Sequence, residues 1–169
     1  MHVAGNQDEF LALVEQHKGA ILKVCSLYTR RADEKEDLFQ EIVIQLWKAW
    51  PNFKGLSKFS TWLYRIALNT AISGLRKKKA DIVLMDNNDI PHIEDGGDHQ
   101  EKEEQLRRLY DAIRQLPEID RAMVMLYLED KSYEEMEDIL GINQGTLRVK
   151  MNRAKEKLKR TIQTMSYGS

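Results

Sequence analysis

One cysteine, three prolines and no apolar run approaching the length of a membrane span are what this sequence offers where other chains carry disulfides, breaks or anchors. The lone thiol, Cys25, excludes a disulfide within the chain and cannot anchor a metal cluster by itself; its position suggests a small buried hydrophobe. The opening MHVAGNQDEF lacks both a cationic start and an apolar core and carries Asp8 and Glu9. It does not read as a signal peptide, so the protein is expected in the cytoplasm. The strict apolar and polar alternation of strands is missing throughout. What remains is 169 residues, 42% hydrophobic and 31% charged, a globular balance with room for one ordinary domain or two small ones.

The net charge of −1 conceals a segregation. Between Asp81 and Glu104 nine acids face Lys102 alone, a net of −8, which leaves +7 on the rest of the chain. This acidic strap also holds Pro91, Gly96 and Gly97 and has no sustained periodicity, so it reads as a flexible linker between domains at 1–80 and 105–169. His92 and His99 lie in it among acids, but no helix would fix their geometry for a metal, and no metal or other cofactor is assigned.

Both flanking halves read as helical. From Phe10 the residues Leu13, Val14, His17, Ile21, Val24, Cys25 and Tyr28 follow in steps of three and four, one face of a single helix. A second helix is expected to open at Asp33 with Glu36 in a capping box and to run to Trp50, ahead of Pro51. After a loop from Pro51 to Lys58, helical spacing resumes at Phe59, Trp62, Leu63, Ile66, Ala67 and Thr70 and ends in the cations Arg76 to Lys79. Gln105 to Gln115 and Pro117 to Glu129 give two more helices.

The stretch SYEEMEDILGINQGTLRVKMNRAKEKLKR carries the most specific local signal. A Ser132/Glu135 capping box opens a short helix to Leu140, Gly141 to Asn143 make a turn, and a basic helix follows. This is a helix-turn-helix, whose second helix enters the major groove of DNA. From Gln144 to Arg160 seven cations stand against one acid. Winding at about 100° per residue puts Leu147, Met151, Ala154 and Leu158 on one face and Gly145, Val149, Asn152, Arg153 and Arg160 opposite, with Arg148 at the flank.

Two longer stretches bring a family into view. DLFQEIVIQLWKAW, followed by NFKGLSKFSTWLYRIALNTAISGLRKKK, closely resembles the second conserved region of bacterial sigma factors, and LPEIDRAMVMLYLEDKSYEEMEDILGINQGTLRVKMNRAKEKLK resembles their fourth. The likeness covers nearly all of residues 8 to 162 in the right order, with only the strap between, as in the small extracytoplasmic-function group. The resemblance implies an all-α chain of two small helical domains. Together they would bind core RNA polymerase, direct it to promoters and help melt DNA.

By that resemblance Asp37, Gln40 and Glu41 dock on the clamp coiled coil of the polymerase core, with Trp47 further along. Asp37, Gln40 and Glu41 stand three or four apart and share one surface, though such acids also fit a solvated face. In the same family a base of the minus-ten element is flipped into a pocket that Phe53 and Asn69 would line. Phe59, Trp62 and Tyr64 would lie near the fork between duplex and single strand, and Arg65 with Arg76, Lys77, Lys78 and Lys79 would neutralise phosphates. An unpaired base needs a flat apolar surface and a hydrogen-bonding group for its edge, which aromatic rings and Asn supply. Phe59, Trp62 and Ile66 at helical spacing also fit plain core. The minus-thirty-five element would be read through Arg148, Val149, Lys150, Asn152 and Arg153. A strap of about 24 residues can extend about 80 Å, more than two turns of DNA, so both modules could engage one promoter. An anti-sigma partner is a further expectation from the group.

Two positions depart from the family. Glu137 stands where a small alanine is usual, and Val149 where a small polar residue is common. Rival readings explain less. A stand-alone DNA-binding regulator accounts for the C-terminal half only. An enzyme, with Asp37 and Glu41 as hydrolytic carboxylates, lacks a nucleophile with its base, metal-ligand spacing and a phosphate-cradling glycine loop, so no catalytic residue is assigned.

Overall fold

The computed structural model describes residues 7–82 and 101–167, which form helices and short turns with no strand among them. Most of the acidic strap, with His92 and His99, lies outside the described residues, as does the side chain of Lys79. The helices are α1 (Gln7–Gln16), α2 (Lys18–Tyr28), α3 (Ala32–Ala49), α4 (Phe59–Ile82), α5 (Glu101–Arg114), α6 (Glu118–Leu128), α7 (Tyr133–Leu140) and α8 (Gln144–Tyr167), and a single 3-10 turn spans Trp50–Asn52. They group into two compact units, α1 to α4 and α5 to α8.

In the first unit α2, α3 and α4 pack on one another. Ile21, Val24 and Leu27 of α2 meet Ile42 and Leu46 of α3 and Leu63, Ala67, Leu68 and Ala71 of α4 in a core with almost no exposure. The alanines, one turn apart, bring a narrow face of α4 to the centre. Cys25 is fully buried there, and loss of solvent pushes its thiol up to about 11, so it stays protonated and unreactive near neutral pH.

The helix expected from Phe10 to Tyr28 is broken at His17, which takes φ −107° and ψ 15°. Its Nδ1 lies 2.9 Å from the Leu13 carbonyl oxygen, which also accepts the His17 amide at 3.1 Å, and α2 restarts at Lys18. The capping box at Asp33 does not form. α3 starts one residue earlier, and Asp33 instead accepts two bonds from the Arg31 guanidinium, at 3.0 and 2.9 Å. α4 extends to Ile82 and α5 begins at Glu101, so the ends of the acidic strap are helical. Cations near the end of α4 and Glu101, Glu103 and Glu104 in the first turn of α5 both complement the helix dipole.

In the second unit α8 touches α5, α6 and α7. Leu147 and Met151 of α8 are fully buried against a core that includes Ile113, Met123, Leu126 and Met136. The turn between α6 and α7 puts Asp130 at φ 60°, a left-handed conformation that Asp tolerates. At the next turn Ser132 Oγ accepts from the Glu135 amide at 3.1 Å, as the sequence predicts, and Gly141 closes α7 at φ 72°. A Cβ at Gly141 would meet nothing within 4 Å, so Gly141→Ala should cost only the backbone strain of a left-handed residue, about 1–2 kcal/mol. Thermal unfolding of the variant measures this; an unchanged midpoint would mean the turn relaxes freely.

Candidate functional site

Three surfaces carry the residues singled out from the sequence, two on the first unit and one on the second. On α3 the side chains of Asp37, Gln40, Glu41, Ile44 and Trp47 are all exposed, and their spacing of three and four residues makes one continuous stripe. Glu41 is steadied by Gln45, whose Nε2 donates to Oε1 at 2.8 Å. The Trp47 indole, 45% exposed, rests on Phe10 with ring centroids 5.0 Å apart, so it presents an edge to solvent from a braced position. Ile44 joins the residues marked by the sequence. It is 46% exposed between Glu41 and Trp47 and gives the stripe an apolar centre, a signal visible only once the buried face of α3 is known to run through Ile42 and Leu46.

The second surface is on α4. Trp62, Arg65, Asn69 and Arg76 stand three, four and seven residues apart and fall on one side of the helix over about 21 Å. Arg65, Asn69 and Arg76 are exposed and Trp62 is half-buried. Tyr64 is placed differently from the sequence reading: about 200° around the helix from Trp62, it is 4% exposed and belongs to the core. Phe53 also turns inward. Its ring stacks on Trp50 at 5.6 Å and 18° and meets Phe59 at 5.9 Å and Trp62 at 4.9 Å. Trp50, which the sequence marks only as a helix end, is the hub of this cluster, touching Phe10, Phe53, Phe59 and Trp62. His17 lies 4.8 Å from Phe59 at its edge. The aromatics thus form a braced wall, and only part of it is open to solvent. The loop ahead of α4 carries Leu56, 92% exposed.

The cations at the end of α4 are not equivalent. Lys77 is exposed, whereas Lys78 Nζ pairs with Glu34 at 2.8 Å and ties that end of α4 to the start of α3.

The third surface is the outer face of α8. Leu147, Met151, Ala154 and Leu158 face inward, as the winding requires, while Arg148, Val149, Asn152 and Arg153 are exposed and Lys150 is partly so. Arg148 is held: its guanidinium lies over the Tyr133 ring of α7, 4.9 Å from the centroid. Asn143 Oδ1 accepts from the Thr146 amide at 2.8 Å, so Asn143 both forms the turn and caps α8. Glu137, flagged as a departure, reaches over the turn to the Gln144 amide, with Oε2 3.0 Å away. Among the described residues no three of His, Cys, Asp and Glu converge as metal ligands, and no helix is long and apolar enough to cross a membrane.

Comparison with known proteins follows the same division. Residues 13–80 match the family model for sigma-70 region 2, and residues 106–158 match sigma-70, region 4. The chain is 34% identical to the ECF RNA polymerase sigma-E factor of Haemophilus influenzae, over 95% of this chain and 91% of that protein. It is 31% identical to the ECF RNA polymerase sigma factor SigW of Bacillus subtilis, over 95% and 92%. Among solved structures, the fold is similar to that of the sigma factor RpoE from Bartonella quintana, crystallised with the anti-sigma factor NepR, at a TM-score of 0.73, 22% identity and coverage of 92% and 97%. It is also similar to CnrH, solved with the cytosolic domain of CnrY, at 0.69, 21% identity and coverage of 95% and 91%. With two family regions in order and relatives matched nearly end to end, the chain belongs to the extracytoplasmic-function group of the sigma-70 family of RNA polymerase sigma factors.

Proposed function

We propose that this sigma factor, which directs RNA polymerase to its promoters, divides the work among the three surfaces. The α3 stripe docks on core polymerase: Asp37, Gln40 and Glu41 supply charge and hydrogen bonds around an apolar centre of Ile44 and Trp47. The α4 stripe opens the minus-ten element. Trp62 and Phe59 offer the exposed parts of their rings to stack at the fork, Asn69 bonds the edge of an unpaired base, and Arg65, Arg76 and Lys77 meet phosphates. Phe53, turned inward, acts by bracing that wall through Trp50, Phe59 and Trp62, while Tyr64 belongs to the core of the first unit. α8 reads the minus-thirty-five element through Arg148, Val149, Lys150, Asn152 and Arg153 in the major groove. No catalytic role is assigned to any residue. We also infer an anti-sigma partner, since both structural neighbours were solved with a bound partner and the first is named an anti-sigma factor.

The observation that carries this reading is the α4 stripe, because an exposed Asn in line with a half-open Trp and flanked by two arginines on one helix face suits single-stranded DNA better than duplex. Its test is Asn69→Ala in run-off transcription from promoter templates carrying each of the four bases at each minus-ten position. Wild type should discriminate at one position by about tenfold, and the variant should lose that preference while keeping the others. Equal weakening on every template would remove Asn69 from base reading.

A further inference from the structure

The helix-turn-helix is held closed by one residue at both ends of its turn. The backbone carbonyl of Glu137 accepts the Gly141 amide at 2.8 Å as α7 ends. Three residues later its side chain, partly buried, accepts the Gln144 amide at 3.0 Å as α8 begins. Gln144 supplies one of the first amides of α8, which no carbonyl within the helix can satisfy. Near it Asn143 takes the Thr146 amide, so two early donors of α8 are satisfied from within the protein. A bond from a carboxylate to an amide at a helix N-terminus is charge-assisted and favoured by the dipole. It fixes the start of α8 against the middle of α7.

What that fixes is the direction of Arg148. This residue lies one turn into α8, and its guanidinium is stacked on Tyr133 in the first turn of α7. The Glu137 to Gln144 bond and the Arg148 to Tyr133 contact therefore tie the same two helices at two points. Sliding or rotating α8 at its start would carry Arg148 off the ring. A fork of donors reads a guanine edge only when its plane and direction are set beforehand, since both bonds must form together.

We infer that Glu137 is a positioning residue for promoter discrimination: its carboxylate clamps α8 to α7 across the turn and sets the direction from which Arg148 meets base edges. This rests on the reading of α8 as the promoter-reading helix. It assigns Glu137 no contact with DNA.

The experiment uses holoenzyme assembled from the full chain and core polymerase, presented with a duplex library randomised over two helical turns at the upstream element. The readout is enrichment of the selected sequence over the library mean. Glu137→Gln keeps an acceptor for the Gln144 amide and should retain wild-type enrichment within about twofold, whereas Glu137→Ala removes it and should lose about tenfold. Alanine is the best helix former, so α7 should stay folded in that variant, which circular dichroism at the assay temperature checks. Wild-type enrichment in Glu137→Ala would overturn the proposal. So would equal losses in both variants, which would point to the charge and not the bond. Arg148→Ala separates the two levels. If it leaves the selected sequence unchanged, α8 is not the reading helix and the clamp proposal fails with it. If it erodes enrichment while Glu137→Ala does not, only the role of Glu137 is lost.

Discussion

Replacing Trp50 by alanine is expected to destabilise the first unit by about 3–5 kcal/mol, the largest effect of any single change considered for this chain. The indole is 2% exposed and meets four rings at centroid distances between 5.6 and 6.4 Å. Those rings come from three different places: Phe10 on α1, Phe53 in the loop, and Phe59 and Trp62 at the start of α4. Truncation leaves a cavity that none of them can fill without losing its own contacts, because Phe53 is already stacked flat on the indole and packed edge-on against Phe59. The functional loss should follow the structural one, since the wall that braces Trp62 would lose its centre. Denaturant unfolding monitored by circular dichroism should show the transition of the first unit shifted and that of the second unchanged, with Trp50→Phe recovering most of the loss. A cost below about 1 kcal/mol would mean the cluster is not the organising core of this end of the first unit.

The second large effect concerns binding and leaves stability alone. Asp37 and Glu41 are exposed, and neither supports the core, so changing both to alanine should alter unfolding by less than about 0.5 kcal/mol. Association with core polymerase should nevertheless fall by tenfold or more, because charged and polar groups around an apolar centre lose their partners together. Size-exclusion chromatography with core polymerase reads this directly: wild type co-elutes and the double variant does not. Co-elution of both would move the docking surface off α3. The same experiment with Ile44→Ala tests whether the apolar centre contributes.

Much of this architecture was legible in the sequence because its signals are local. The inward face of α8, the Ser132 cap and the glycine turn each depend on residues within a few positions of one another, and the structure places them as the spacing requires. Composition was a poorer guide than chemistry at the end of the strap, where Glu101, Glu103 and Glu104 look like linker but complement the start of α5. The break at His17 and the early start of α3 coincide with side-chain bonds to a carbonyl and to Arg31 that periodicity does not register. Tyr64 and Phe53 were set near DNA by resemblance, but whether a ring faces water is decided by which side of α4 meets α2 and α3, a tertiary fact. Glu137 looked like a misfit until the turn brought it to an amide seven residues on.

Promoter-directed initiation through the α3, α4 and α8 surfaces is tested most directly by transcription with purified core polymerase on genomic DNA, with and without this chain, with every transcript 5′ end sequenced. Discrete start sites should appear only with the chain, be preceded by two shared elements, and vanish with the Asp37 and Glu41 double variant. The same scattered starts with and without the chain, together with specific binding of duplex DNA by the protein alone, would contradict it.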